Sequence, residues 1–154
     1  MKHYDVYSRL KELGIELPPS AAPAAAYKMA CRSGGLVYLS GHIARKDGAV
    51  WQGKLGAGMS TEEGRLAARL VAIDLLATLH VHVGDLNRVR QIARVGSMVN
   101  SAPDFMDQHL VTNGASELFA DIFGERGGHA RSAFGVAQLP LGACVEIELC
   151  AEVE

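Results

Sequence analysis

The chain predicts an α+β fold: a two-layer sandwich in which one mixed β-sheet carries two long helices on one face. Three observations lead there. The segment near the end alternates strictly, with Val145, Ile147, Leu149, Ala151 and Val153 on one side and Cys144, Glu146, Glu148, Cys150 and Glu152 on the other. A period of two is that of a strand with one buried face. Two stretches, opened by Ser60-Thr61-Glu62-Glu63 and by Ser101-Ala102-Pro103-Asp104, carry apolar residues at helical spacing. The order is hairpin, further strand, helix, strand, helix, strand, strand, in 154 residues, enough for one domain with a real core and too few for two ordinary ones. Helices on one face leave the other open. Part of that open face is too apolar for water, which predicts an oligomer whose sheets meet.

In chain order, residues 1–20 form an arm and residues 21–154 the main domain. Tyr4 to Leu13 reads as a short amphipathic helix, with Val6, Leu10 and Leu13 at helical spacing and Gly14 as its C-cap. Pro18-Pro19-Ser20 stops it and Ala21-Ala22-Pro23 continues as an extended linker. Lys28 to Arg32 is a strand, Ser33-Gly34-Gly35 a hairpin turn and Leu36 to Ser40 the return strand. Asp47-Gly48 is a second turn. Gly53 to Gly58 is a Gly-rich loop without the spacing of a phosphate-cradling motif. Ser60 and Glu63 make a capping box for a helix running to about His80, with Leu66, Leu70, Ile73 and Ala77 on one face. Val89 to Val99 is a long strand. The second helix has Pro103 in its first turn, a stripe of Phe105, His109, Leu110, Leu118, Phe119 and Ile122, and Gly124 at its end. Gly127-Gly128 leads into the strand of Arg131, and Leu139-Pro140-Leu141-Gly142 turns into the last strand.

Composition excludes several function classes. Hydrophobic residues make up 49% of the chain, so it is globular and not disordered. Net charge is -2 and no basic tract occurs, which counts against a nucleic-acid partner. Cys31, Cys144 and Cys150 have no metal-type spacing, and Cys144 and Cys150 are too far apart along one strand for a disulfide. The six histidines lack a two-His-plus-carboxylate pattern, so no metal site is expected. Free thiols, no apolar leader in Met1-Lys2-His3-Tyr4-Asp5 and no apolar run of membrane-spanning length give the expectation of a cytoplasmic protein with no membrane partner.

The chemistry gathers near the end of the chain. Arg131 lies one short Gly/Pro connection upstream of the Glu146 strand. Two adjacent strands would bring the two side chains to one place, pairing a planar fork for an anion with a carboxylate able to move a proton. The plain alternative is a wet outer face with Arg131 in a surface ion pair worth little. His42 is either an extra acid/base or a strand-end histidine bonded to backbone. His129 either adds positive potential beside Arg131 or is an exposed loop residue.

The run Ala22-Pro23, Tyr27, Leu39-Ser40-Gly41, Gly84-Asp85-Leu86, Asn113, Ala130-Arg131-Ser132, Leu139-Pro140 and Val145-Glu146-Ile147-Glu148 resembles the YjgF/RidA family across about Ala21 to Val153. The resemblance implies a chorismate-mutase-like fold assembled as a homotrimer, with clefts between subunits. It implies hydrolysis of small 2-imino acids and their enamines to 2-keto acids and ammonia, without metal or organic cofactor. Residue by residue, Arg131 matches the arginine that grips the substrate carboxylate, and Glu146 the glutamate that positions or activates water. Tyr27, Ser40 and Gly41 match the lining of the same cleft. Asn113 matches at a spacing to Arg131 one residue longer than the family's. Glu146, flanked by Glu148 in such a cleft, is expected to have a raised pKa.

The chain departs from the family pattern in three places. Ala133, in the lining, replaces a frequent cysteine, Gly135 replaces a frequent glutamate, and His42 replaces a glutamine. An N-terminal arm marks one branch of the family. Two rival readings accompany the deaminase: a non-catalytic trimer that binds a small carboxylate metabolite, and an endoribonuclease-type activity, as some family names suggest.

Overall fold

The structure, a computed structural model, describes residues 4–23 and 25–154; residues 1–3 of the expected arm and Ala24 lie outside it. The first helix, α1 (Val6–Glu12), starts where Asp5 accepts from the amides of Tyr7 and Ser8. Hydrogen bonds, first from the Ser8 hydroxyl, pull the Asp5 carboxyl down to about 2. Val6 and Leu10 are buried in the common core. The phenolic oxygen of Tyr7 accepts from the Leu86 amide at 2.8 Å, and the Tyr7 hydroxyl lies 2.9 Å from His80 Nδ1. The arm segment is thus bonded to the domain it precedes.

The hairpin joins β1 (Ala30–Ser33) to β2 (Leu36–Ile43) in the register Ser33 opposite Leu36. β2 runs past the expected Ser40, through a bulge between Leu39 and His42. A small hairpin follows, β3 (Arg45–Lys46) with β4 (Ala49–Val50). Its turn puts Asp47 at φ 53° and Gly48 at φ 79°, the left-handed pair that Asp-Gly accommodates.

Helix α2 (Thr61–Val83) opens with the expected capping box: Glu63 N donates to Ser60 Oγ at 3.2 Å, and Ser60 N donates to the Glu63 carboxylate at 2.8 Å. Its buried face differs from the expected stripe. Ala67, Ala68, Val71, Ala72, Leu75, Leu76 and Leu79 are buried, whereas Leu66 is 44% exposed and Leu70 and Ile73 are half-buried; only Ala77 of the expected four is fully inside. The reason is two-sided packing. One flank meets the sheet and another meets the next helix, so small residues go inside where backbones approach. A Cβ on Gly114 would overlap the carbonyl of Arg65. By length and composition α2 is also apolar enough to cross a membrane, contrary to the expectation of no such run, but 56% of its apolar window is buried in the fold and it is a core helix.

Strand β5 (Val89–Asn100) follows as expected. Helix α3 (Gln108–Phe123) starts later than predicted, and Pro103 lies outside it. The Ala102 amide is bonded to Leu55 O at 2.8 Å, and Phe105 packs on the core, which holds 102–107 in irregular backbone. His109 and Leu110, expected inside, are exposed, while Leu118, Phe119 and Ile122 are buried. The sheet ends with β6 (Ala130–Val136) and β7 (Val145–Val153).

The order is β1-β2-β7-β5-β6, with β6 parallel to β5 and the other neighbours antiparallel. α3 is the crossover between the two parallel strands. α2 and α3 cover one face through Val37, Leu39, Val95, Val99, Ile147 and Leu149. The other face carries Tyr38 and Phe134, 46% and 50% exposed. Cys144 departs from the predicted alternation: it is fully buried before the strand begins, and burial pushes its thiol up to about 11. All three cysteines are free.

Candidate functional site

Within one chain the expected site residues form two groups. Arg131 and Glu146 are not on adjacent strands. β6 runs parallel to β5, and β7 inserts on the far side of β5, so β5 separates them. Arg131 aligns with Val95 and through it with Leu149, whereas Glu146 aligns with Met98. That places Arg131 on the helix side and Glu146 on the open side, about 10 Å apart across the sheet and about 10 Å along it. The expectation that one chain brings them together is corrected by this topology: Leu139–Gly142 is a crossing over the end of β5 and not a hairpin.

The first group centres on Glu146. Gly41 lies directly under its carboxylate. A Cβ at Gly41 would overlap Oε1 and come within 3.0 Å of Cδ. Glu148 lies likewise over Gly96, where a Cβ would meet its Oε1 at 2.8 Å. Two glycines therefore make room for two carboxylates lying flat on the sheet. Burial, with a smaller push from the Glu148 charge, raises the Glu146 pKa above its ordinary value, as expected from the sequence. Ser40 Oγ donates to Lys28 O at 2.6 Å, and Ser40 N donates to Met29 O at 2.9 Å. These bonds tie the lead-in to β1, with Tyr27 one residue earlier, against the bulge of β2. Tyr27 is 44% exposed. A cavity of about 420 Å³ on the open face is bordered by Ser40, Tyr38, Arg94 and Glu148.

The second group centres on Arg131. Its Nη1 donates to Asn113 Oδ1 at 2.8 Å and to Ser116 Oγ at 3.2 Å. Asn113 and Ser116 are three residues apart on one face of α3. Arg131 makes no ion pair among the described residues, so its charge has no carboxylate partner there. Ala133 follows on the same side of β6, half-buried. A cavity of about 310 Å³ is lined by Arg131, His129, Ser116 and Gly128.

His42 is the strand-end histidine bonded to backbone that was one of its two readings in the sequence, whereas His129 fits neither of its own. His42 is 5% exposed on the helix side, away from Glu146. Its Nδ1 lies 2.7 Å from Ser40 O and its Nε2 2.7 Å from Thr78 Oγ1, so it bridges β2 to α2. Burial lowers its pKa. Ser20 Oγ reaches the same Thr78 hydroxyl at 3.3 Å, which links the arm segment to the bridge. His129 is half-buried and not a free loop residue: its Nδ1 lies 2.7 Å from Gly127 O and its Nε2 2.9 Å from Ser116 Oγ. Ser116 was missed in the sequence. Its signal was the i, i+3 spacing from Asn113. Among the described residues no group of three or more His, Cys, Asp or Glu could hold a metal ion.

A family model described as "YjgF/chorismate mutase-like, putative endoribonuclease" matches residues 7–153. Protein TCP17 of Trypanosoma cruzi is 43% identical over 150 residues, 96% of this chain and 94% of that protein. The crystal structure of Atu1372 from Agrobacterium tumefaciens, a protein of unknown function, is 38% identical with a TM-score of 0.89, covering 99% of this chain and 96% of that one. A "putative endoribonuclease" of Shewanella oneidensis is 33% identical with a TM-score of 0.93, covering 97% of this chain and 99% of that one.

Proposed function

Because the chain belongs to this YjgF/RidA family, we propose that it hydrolyses small 2-imino acids and their enamine tautomers to 2-keto acids and ammonia, in clefts between the subunits of a homotrimer. The observation that carries the reading is the separation of the two groups. A guanidinium without a carboxylate partner among the described residues stands at one edge of the sheet, and a carboxylate of raised pKa lies on the open face. Neither alone is a catalyst, and a second copy supplies what each lacks.

The chemistry needs little else. Arg131 holds the substrate carboxylate and so fixes the imine carbon. Glu146 takes a proton from water as the water oxygen bonds to that carbon and passes it to the imine nitrogen, which gives a neutral carbinolamine. Glu146 then takes the carbinolamine hydroxyl proton as the carbonyl forms and passes it to the nitrogen, which leaves as ammonia. A carboxylate of raised pKa suits both directions of transfer. Tyr27, Ser40, Gly41 and Ala133 line the cleft in this reading, while Asn113 acts by holding Arg131. No metal or organic cofactor takes part.

The rival readings make different demands. A binding trimer needs the Arg131 grip without turnover. An endoribonuclease must attract phosphate, and a chain of net charge -2 with Glu146, Glu148 and Glu152 on its open face repels it. The test generates imino acids from a panel of amino acids with an amino-acid oxidase in semicarbazide. Suppression of semicarbazone by the native protein, lost in Arg131→Ala and in Glu146→Gln, is the expected result. Binding of 2-keto acids without suppression across the panel identifies the non-catalytic trimer. Salt-sensitive RNA cleavage without either revives the endoribonuclease.

A further inference from the structure

A guanidinium offers five N–H groups in one plane. It can meet a carboxylate with two parallel bonds from its end, through Nη1 and Nη2, or from its side, through Nε and Nη2. In Arg131 both Nη1 protons are taken, by Asn113 Oδ1 at 2.8 Å and Ser116 Oγ at 3.2 Å. Nη2 has one long contact, 3.4 Å to His109 O, and Nε has no partner among the described residues. The end-on fork is therefore broken and the side-on fork stands.

What fixes Ser116 is a chain of bonds with one direction. The Gly127 carbonyl accepts only, so the proton 2.7 Å away is on His129 Nδ1. His129 Nε2 is then an acceptor and takes the Ser116 hydroxyl proton over 2.9 Å. With its proton turned to His129, the Ser116 oxygen presents a lone pair to Arg131. Phe119 packs edge-on against the imidazole, with centroids 5.9 Å apart, and holds the ring plane. Burial, and to a smaller degree the Arg131 charge, favour the neutral imidazole that this arrangement needs.

We infer that Ser116 and His129 are positioning residues that commit Nη1 of Arg131 to the protein, leaving its Nε/Nη2 edge as the docking edge for a ligand carboxylate. The inference rests on the carboxylate-binding reading above and adds to it two residues and an edge.

Arginine side-chain NMR on the full-length protein tests it, with the Arg131 signals identified by their absence in Arg131→Lys. Rotation about the Nε–Cζ bond of Arg131 is compared in the native protein, Ser116→Ala, His129→Leu, the double variant and His129→Gln, and pyruvate is titrated into each. Rotation is expected to quicken about fivefold or more in Ser116→Ala and His129→Leu alike, as loss of a charge-assisted bond dictates. It should quicken no further in the double variant, and should slow again in His129→Gln, whose amide oxygen can replace Nε2 as acceptor. Pyruvate should move the Nε–H signal and leave Nη1 nearly unmoved. Native-like rotation in both single variants overturns the clamp, and a pyruvate shift at Nη1 in place of Nε overturns the docking edge. Failure of the underlying reading looks different: pyruvate then moves no Arg131 signal, which removes the docking edge, and the rotation rates still decide the clamp.

Discussion

The Glu146 and Arg131 half-sites are held in place by different means. Glu146 is placed by strand alternation and by empty space, since Gly41 leaves room for its carboxylate. Arg131 is placed by occupied bonds, through Asn113, Ser116 and His129. The first is broken by adding an atom and the second by removing one. Under the proposed function, a split site of this kind is inert in a lone chain and is completed on assembly.

The largest effect is expected from Arg131→Lys. An ammonium keeps the charge but cannot make the planar pair with a carboxylate, so kcat/KM for imine hydrolysis should fall about 100-fold or more. On the other half, Gly41→Ala should lower kcat about tenfold by displacing the Glu146 carboxylate, with Arg131-dependent binding of pyruvate unchanged. Equal loss of both would mean that the alanine disturbs the fold and not the half-site.

A smaller effect sharpens the electrostatic side of the comparison. Activity should be lost as pH falls through the raised pKa of Glu146, because the protonated acid cannot take a proton from water. Glu148→Gln removes the lesser of the two causes, so the acid limb of the pH–rate profile should move to lower pH without disappearing. A limb that stays put would leave burial as the sole cause.

The smallest effect concerns stability. Burial holds the pKa of His42 below its ordinary value in the folded protein. As pH falls, the unfolded chain takes up the proton first, so the stability this residue contributes is present above the ordinary histidine value and is lost as pH falls through the lowered one. His129 is lowered too and adds to the slope. His42→Gln, which does not titrate, should flatten part of the fall in urea midpoint below pH 6.5. An unchanged slope would assign it elsewhere.

The same contrast explains what the sequence revealed. Strand alternation from Val145 to Val153, the Ser60–Glu63 box and the Asp47-Gly48 turn are local patterns, and each appears in the structure where it was expected. The buried face of α2 was not legible, because two-sided packing favoured Ala67, Ala68 and Ala72 over the larger Leu66. Nor was the place of β7 between β2 and β5, since strand order is set by long-range pairing and not by the residues of one connection. The raised pKa of Glu146 was expected from Glu148 beside it and from a place in a cleft, and burial is the larger of the two causes. The roles of Ser116 and His129 did not, because they join a helix, a loop and a strand far apart in the chain.

The central claim is that the working site takes Arg131 from one copy and Glu146 from another. Arg131→Ala and Glu146→Gln, each inactive alone, are to be co-refolded in equal amounts and assayed for imine hydrolysis. A cleft using one residue from each of two neighbours in a randomly mixed trimer predicts recovery of about a quarter of native activity. Mixed assemblies that form but stay as inactive as either parent would contradict the account and require both residues to act from a single chain.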